Sequence, residues 1–152
     1  MLRDKIKSDL TTAMKAGDSN RVRTIRSLMA AMMEKEIELR QTGNPEITDD
    51  LAVDVIMKAA KQRRDAQQQY ADNNRQDLAD IEAAELTILE EYLPAQLSDE
   101  DIRTGVEEIV QQTGAASMKD MGKVMGVAMK RFKGQADGKR VQMAVRAVLS
   151  GS

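Results

Sequence analysis

Charge is the only chemistry this sequence offers in quantity. Its 152 residues include no Cys and no His, which removes thiolate nucleophiles, zinc fingers, imidazole ligands and base catalysis near neutral pH in one step. Carboxylates at Asp49, Asp50 and Asp54, and at Glu82, Glu85, Glu90 and Glu91, fall at expected helix starts or on expected exposed faces, not in the paired settings that acid–base work needs. There is no glycine-rich phosphate loop and no nucleophile beside a base. The expectation is therefore no catalytic residue, no metal ligand and no cofactor. What remains is the run GKVMGVAMKRFKGQADGKR, Gly122 to Arg140, which is almost purely basic in a chain whose formal net charge is only -2. Lys123, Lys130, Arg131, Lys133, Lys139 and Arg140 are its cations, and cations gathered on a small domain can hold phosphates.

The spacing within this run separates ordinary charges from unusual ones. Lys130, Arg131 and Lys133 fall in the last turn of a Val/Met helix, where cations suit the negative end of the helix dipole. Lys139 and Arg140 fall in the first turn of the next helix, where acids are usual, so these two point more strongly to a ligand. Together with the exposed amides of the KGQADGK turn, five cations from Lys130 to Arg140 would form a phosphate-binding surface, with Gly134 permitting close approach. Gly122 and Gly126 lie four apart inside the helix, where each costs ~1 kcal/mol relative to Ala. Close approach would offset that cost, either by another helix of the tail or by a nucleic-acid backbone. Phe132 belongs to the apolar face, so stacking on unpaired bases is not expected. The mode left is recognition of the shape and phosphates of a folded RNA. A second basic run, KQRRDAQQQY from Lys61 to Tyr70, reads as a solvated helix face, with RNA contact as the minor alternative.

The elements that must position these residues are helices. A hydrophobic fraction of 41%, a charged fraction of 32% and only 2% aromatic residues fit an all-α protein better than a sandwich or barrel. Leu2, Ile6, Leu10 and Met14 recur every four residues before Gly17, giving a helix over 2–16. Val22, Ile25, Met29 and Met32 mark a second helix, stopped at TGNP, Thr42 to Pro45. Thr48 caps a third, whose apolar face thins through Lys61 to Asp77, and Leu78 to Leu93 form a fourth that Pro94 ends. After it, Ser98 with Asp101 and Ser117 with Asp120 have capping-box spacing. These start two helices, ending at Gly114 and Gly134, and Asp137 caps the last. The predicted organisation is a helical N-terminal domain of about four helices over 1–94 and a small three-helix domain over 95–152. Charge is expected to divide the same way, with 15 basic and 23 acidic residues over 1–117 against 8 and 2 over 118–152. No run of eighteen apolar residues and no apolar signal core appears, so the expected protein is cytoplasmic with no membrane partner.

The segment VMGVAMKRFKGQADGKRVQMAVRAVL resembles the C-terminal tail domain of the B subunit of the tRNA-dependent amidotransferase. Taken with DLTTAMKAGDSNRVRTIRSLMAA and ILEEYLPAQLSDEDI, the whole chain resembles the stand-alone GatB/YqeY family. The resemblance implies a helical N-terminal domain plus a three-helix domain of the kind with which the amidotransferase engages tRNA, without the domain that phosphorylates and amidates. It implies a tRNA-binding accessory module, with tRNA as partner. The alternative is a protein-interaction adaptor for an amidotransferase or an aminoacyl-tRNA synthetase. The family-level label, carbon-nitrogen ligase with glutamine as amido donor, would describe relatives that carry the catalytic domain.

Overall fold

The structure is a computed structural model that describes residues 1–44 and 46–151. Pro45, assigned to the stop of the second helix, lies outside the described residues. The described residues are all-helical and divide into two compact units, Met1–Leu93 and Pro94–Ser152.

The first unit holds α1 (Leu2–Ala16), α2 (Ser19–Gln41), α3 (Asp49–Asp72) and α4 (Gln76–Glu90). Their four-residue apolar spacing turns Ile6, Ile25, Leu28, Met32, Ile56 and Leu89 inward, and all are essentially sealed from solvent. Each such side chain contributes about 1.5–3 kcal/mol from burial. Helix ends follow local signals. Gly17 takes the left-handed conformation at φ 69° after α1, where a Cβ would be strained. The Asp18 side chain accepts from the Arg21 amide at 3.1 Å and Thr48 from the Leu51 amide at 3.2 Å. Polar ties then join the elements. Asp49 accepts from the Leu2 amide at 2.9 Å, Arg3 pairs with Glu36, and Arg63 donates to Glu85 at 2.8 Å and to Ser27 at 3.1 Å. Arg63 lies in the basic run of α3, and its partners make it a brace to α4 and α2. The fourth helix stops at Glu90, short of the expected Leu93. Tyr92 and Leu93 turn into the core instead, and the Tyr92 hydroxyl donates to Asp9 on α1 at 2.6 Å.

The second unit contains α5 (Asp99–Thr113), a single 3₁₀ turn (Met118–Asp120), α6 (Met121–Arg131) and α7 (Gly138–Ser150). Ile102, Val106, Ile109, Val124, Ala128, Val141 and Val145 form its core. Its caps are those the sequence spacing predicts. Ser98 accepts from the Asp101 amide, Ser117 and Asp120 form a reciprocal capping box, and Asp137 accepts from the Arg140 amide at 3.0 Å. Two amides donate to Asp120, from Ala116 and Ser117, and hold its carboxyl below the usual range. The Val/Met helix ends at Arg131 rather than at Gly134. Phe132 leaves the helix to enter the core, and the backbone turns back through Gly134 at φ 78°. Space for Phe132 comes from Gly105 on α5, where a Cβ would stand 2.5 Å from the ring's Cζ. No helix among the described residues is long and apolar enough to cross a membrane.

Candidate nucleic-acid interface

The basic residues of the Gly122–Arg140 run sort into two kinds. Lys123, Lys130, Lys133 and Lys139 are all exposed. Lys123 reaches the Thr113 carbonyl at 3.3 Å, and Lys130 and Lys139 have no hydrogen-bond or ion-pair partner among the described residues. The two arginines are committed to α5. Arg131 donates to Glu108 and, at 3.4 Å, to the Gly105 carbonyl. Arg140 donates to Asp99 at 2.9 Å and to the Leu97 carbonyl at 2.8 Å. This corrects the reason given for Arg140. Its charge in the first turn of α7 is accounted for by a tertiary ion pair with the acidic start of α5, so its position on the helix is not by itself a sign of a ligand.

Two further expectations change. Gly122 and Gly126 are exposed, and a Cβ built at either would meet nothing within 4 Å beyond its own helix, so the packing alternative fails: no helix of the tail lies against them. The α6 backbone is bare there. Gly134 is buried, and its carbonyl accepts from Gln96 at 2.7 Å, so it serves the turn, with little surface to offer a ligand. The glycine that does receive a neighbour is Gly105, which the sequence reading passed over. Lys119 was also missed. It is exposed one turn ahead of Lys123 and its ammonium has no partner among the described residues, and its four-residue spacing to Lys123 was the available signal.

The charge division also differs from the expected one. Its sign changes between residues 117 and 118, inside the second unit, because α5 carries Asp99, Glu100, Asp101, Glu107 and Glu108. The polarity thus lies within one small unit, between α5 with its five acids and the exposed lysines of α6 and α7. No group of three or more Asp or Glu side chains suited to a metal occurs among the described residues.

The described residues thus form an all-helical fold whose small second unit is polarised in charge. The family model described as Yqey-like protein matches residues 3–149, and the chain belongs to this family. Curated relatives carry the name Altered inheritance of mitochondria protein 41, mitochondrial. That of Vanderwaltozyma polyspora is 34% identical over 122 residues, covering 76% of this chain and 64% of the relative. That of Kluyveromyces lactis is 36% identical over 90 residues, covering 59% and 47%, and that of Saccharomyces cerevisiae strain YJM789 is 30% identical over 137 residues, covering 88% and 69%. The chain thus spans less than two thirds of the length of the first two. These names overturn the cytoplasmic expectation. That expectation rested on the lack of an apolar signal core, which is the mark of secretion alone. Mitochondrial transit segments are amphipathic and basic, and an apolar scan does not find them.

Proposed function

We propose that this chain is a tRNA-binding accessory module related to the amidotransferase B subunit, with no catalytic machinery of its own. The observation that carries the reading is the outer face of α6 and the start of α7. Lys123, Lys130, Lys133 and Lys139 stand exposed there beside the uncovered backbone at Gly122 and Gly126. Cations beside bare backbone suit a phosphodiester chain, because the charges attract phosphates and nothing bulky holds the strand away. The lack of an exposed aromatic on this unit favours folded RNA over unpaired bases. The catalytic label of the wider family, carbon-nitrogen ligase, belongs to relatives with a further domain.

A second reading, a protein adaptor for an amidotransferase or aminoacyl-tRNA synthetase, draws on the first unit. Met33 and Ile37, one turn apart on α2, are both more than half exposed, and apolar pairs of this kind mark contact surfaces when they are part of a larger patch. Titration of the protein with tRNA at several salt concentrations tests the first reading. Each phosphate contact adds about 0.7–0.9 to the slope of log affinity against log salt, so replacing Lys123, Lys130 and Lys139 by Ala should flatten it by roughly 2–3. An unchanged slope in a folded triple variant would refute the assignment. Capture of partners from lysate that persists after ribonuclease treatment would favour the adaptor.

A further inference from the structure

Arg131 and Arg140 approach the proposed phosphate surface already occupied. Arg140 Nε donates to Asp99 Oδ1 and Arg131 Nη2 to Glu108 Oε2. These are the donors an arginine would present to a phosphate, and a fork that holds a carboxylate cannot hold a phosphate through the same N–H groups. The exposure of the partners is unequal. The Asp99 side chain is 88% exposed against 28% for Arg140, and Glu108 is 52% exposed against 41% for Arg131. Each carboxylate can therefore swing into water at little cost, while each guanidinium stays in place, Arg140 through the Leu97 carbonyl and Arg131 through the Gly105 carbonyl.

We infer that Asp99 and Glu108 are internal competitors of RNA phosphate: they occupy Arg140 and Arg131 in the free protein and are displaced when RNA binds. This rests on the phosphate-binding reading of the second unit. The exchange is within reach because an exposed ion pair is worth ~0.2–1 kcal/mol, less than a charge-assisted bond to a phosphate. It would make the two arginines respond only to a ligand that outbids a tethered carboxylate, and leave first encounter to the lysines.

The test compares the full chain with Asp99→Asn/Glu108→Gln, with Glu108→Gln alone, and with Glu100→Gln. The last removes one charge from α5, as Glu108→Gln does, at a side chain that pairs with neither arginine. Bulk tRNA is titrated into each at low salt, with thermal melts alongside. At about tenfold per 1.4 kcal/mol, the double variant is expected to bind roughly 2- to 25-fold tighter than wild type, Glu108→Gln by the smaller part of that, and Glu100→Gln within twofold. Wild-type binding with no gain in the folded double variant or in Glu108→Gln would overturn the competition while leaving the phosphate reading intact. An equal gain in Glu100→Gln would overturn it as well, by assigning the effect to bulk charge. Binding by the double variant alone would support it, and failure of every form to bind tRNA would sink the phosphate reading and this inference together.

Discussion

Replacement of Gly105 by Ala should destabilise the second unit even though Ala is the better helix former. In the interior of α5 the change favours the helix by about 0.8–1 kcal/mol. The new Cβ would stand 2.5 Å from Phe132 Cζ and 2.8 Å from Cε1, where carbon atoms rest about 3.5–4.0 Å apart, so the ring must retreat by about 1 Å. Its freedom to do so is small. Phe132 is 4% exposed, its amide donates to Ala128 at 2.9 Å, and its carbonyl accepts from Gln135 at 2.8 Å. Overpacking of this kind costs about 1–3 kcal/mol, which leaves a net loss near 1 kcal/mol and a fall of about 4–8 °C in the Tm of a unit this small. Tyr70 and Tyr92 both lie in the first unit. Tyrosine fluorescence therefore follows that unit alone while far-ultraviolet circular dichroism follows both. The fall should appear in the second signal and not the first. Phe132→Leu removes the clashing ring atoms, so in the double variant the two changes should be coupled favourably by at least about 0.5 kcal/mol. A Gly105→Ala protein as stable as wild type, or a cycle with no coupling, would refute the account of why glycine stands there.

The exposed glycines should behave in the opposite sense. Gly122→Ala and Gly126→Ala each add a Cβ that meets nothing beyond α6 and should stabilise by up to about 1 kcal/mol each, yet weaken tRNA binding if a strand lies against that backbone; melts and titrations of the double variant check both signs. Tyr92 gives a pH dependence. Burial first, and the bond to Asp9 second, push its ionisation above the ordinary 10.0, so the folded protein keeps a proton that the unfolded chain releases. That contribution is complete below pH 10 and is lost as pH rises above it. Thermal melts between pH 9 and 11 should show Tyr92→Phe, less stable near neutrality by about 1 kcal/mol, losing less stability with rising pH than wild type, and parallel curves would count against it.

What could be read from the sequence was decided within a few residues. Thr48, Ser98 and Asp137 cap helices by accepting from an amide three positions on, and Gly17 and Gly114 close helices in the left-handed conformation. Each of these signals is complete within one turn. The basic cluster was legible as composition but not as a set of contacts. The partner of Arg140 lies 41 residues away and that of Arg131 lies 23 away, and a helix-dipole argument applied to either arginine omits the partner that accounts for it. The same limit decided the glycines. Gly105, Gly122 and Gly126 all sit inside helices, and only the packing of Phe132 shows that the first is filled while the other two are bare. The early ends of α4 and α6 have one cause as well. Tyr92 and Phe132 each gain more from turning into a core than from continuing a helix, and periodicity along the chain does not register where a core lies.

Lysine and arginine divide the work of the second unit by their shapes. A guanidinium is a planar fork matched to a carboxylate, whereas an ammonium is a compact, strongly hydrated charge that remains in water at little cost. Both arginines of the Gly122–Arg140 run reach back to acids of α5 and brace the unit, while its lysines are exposed, Lys123 touching α5 at the Thr113 carbonyl. Arg146, on the exposed side of α7, has no partner among the described residues, so the division follows proximity to the acids of α5 and is not a rule for every arginine. It follows that the number of cations in the run overstates the charge the free protein presents. Arg140 and Arg131 are paired locally with Asp99 and Glu108, and on the proposed reading a ligand would meet exposed lysines first. On the proposed phosphate reading, electrostatic steering would depend on lysines, and any additional affinity from the arginines on displacing a carboxylate, which would tie the strength of binding to the same ion pairs that hold α7 and the end of α6 against α5.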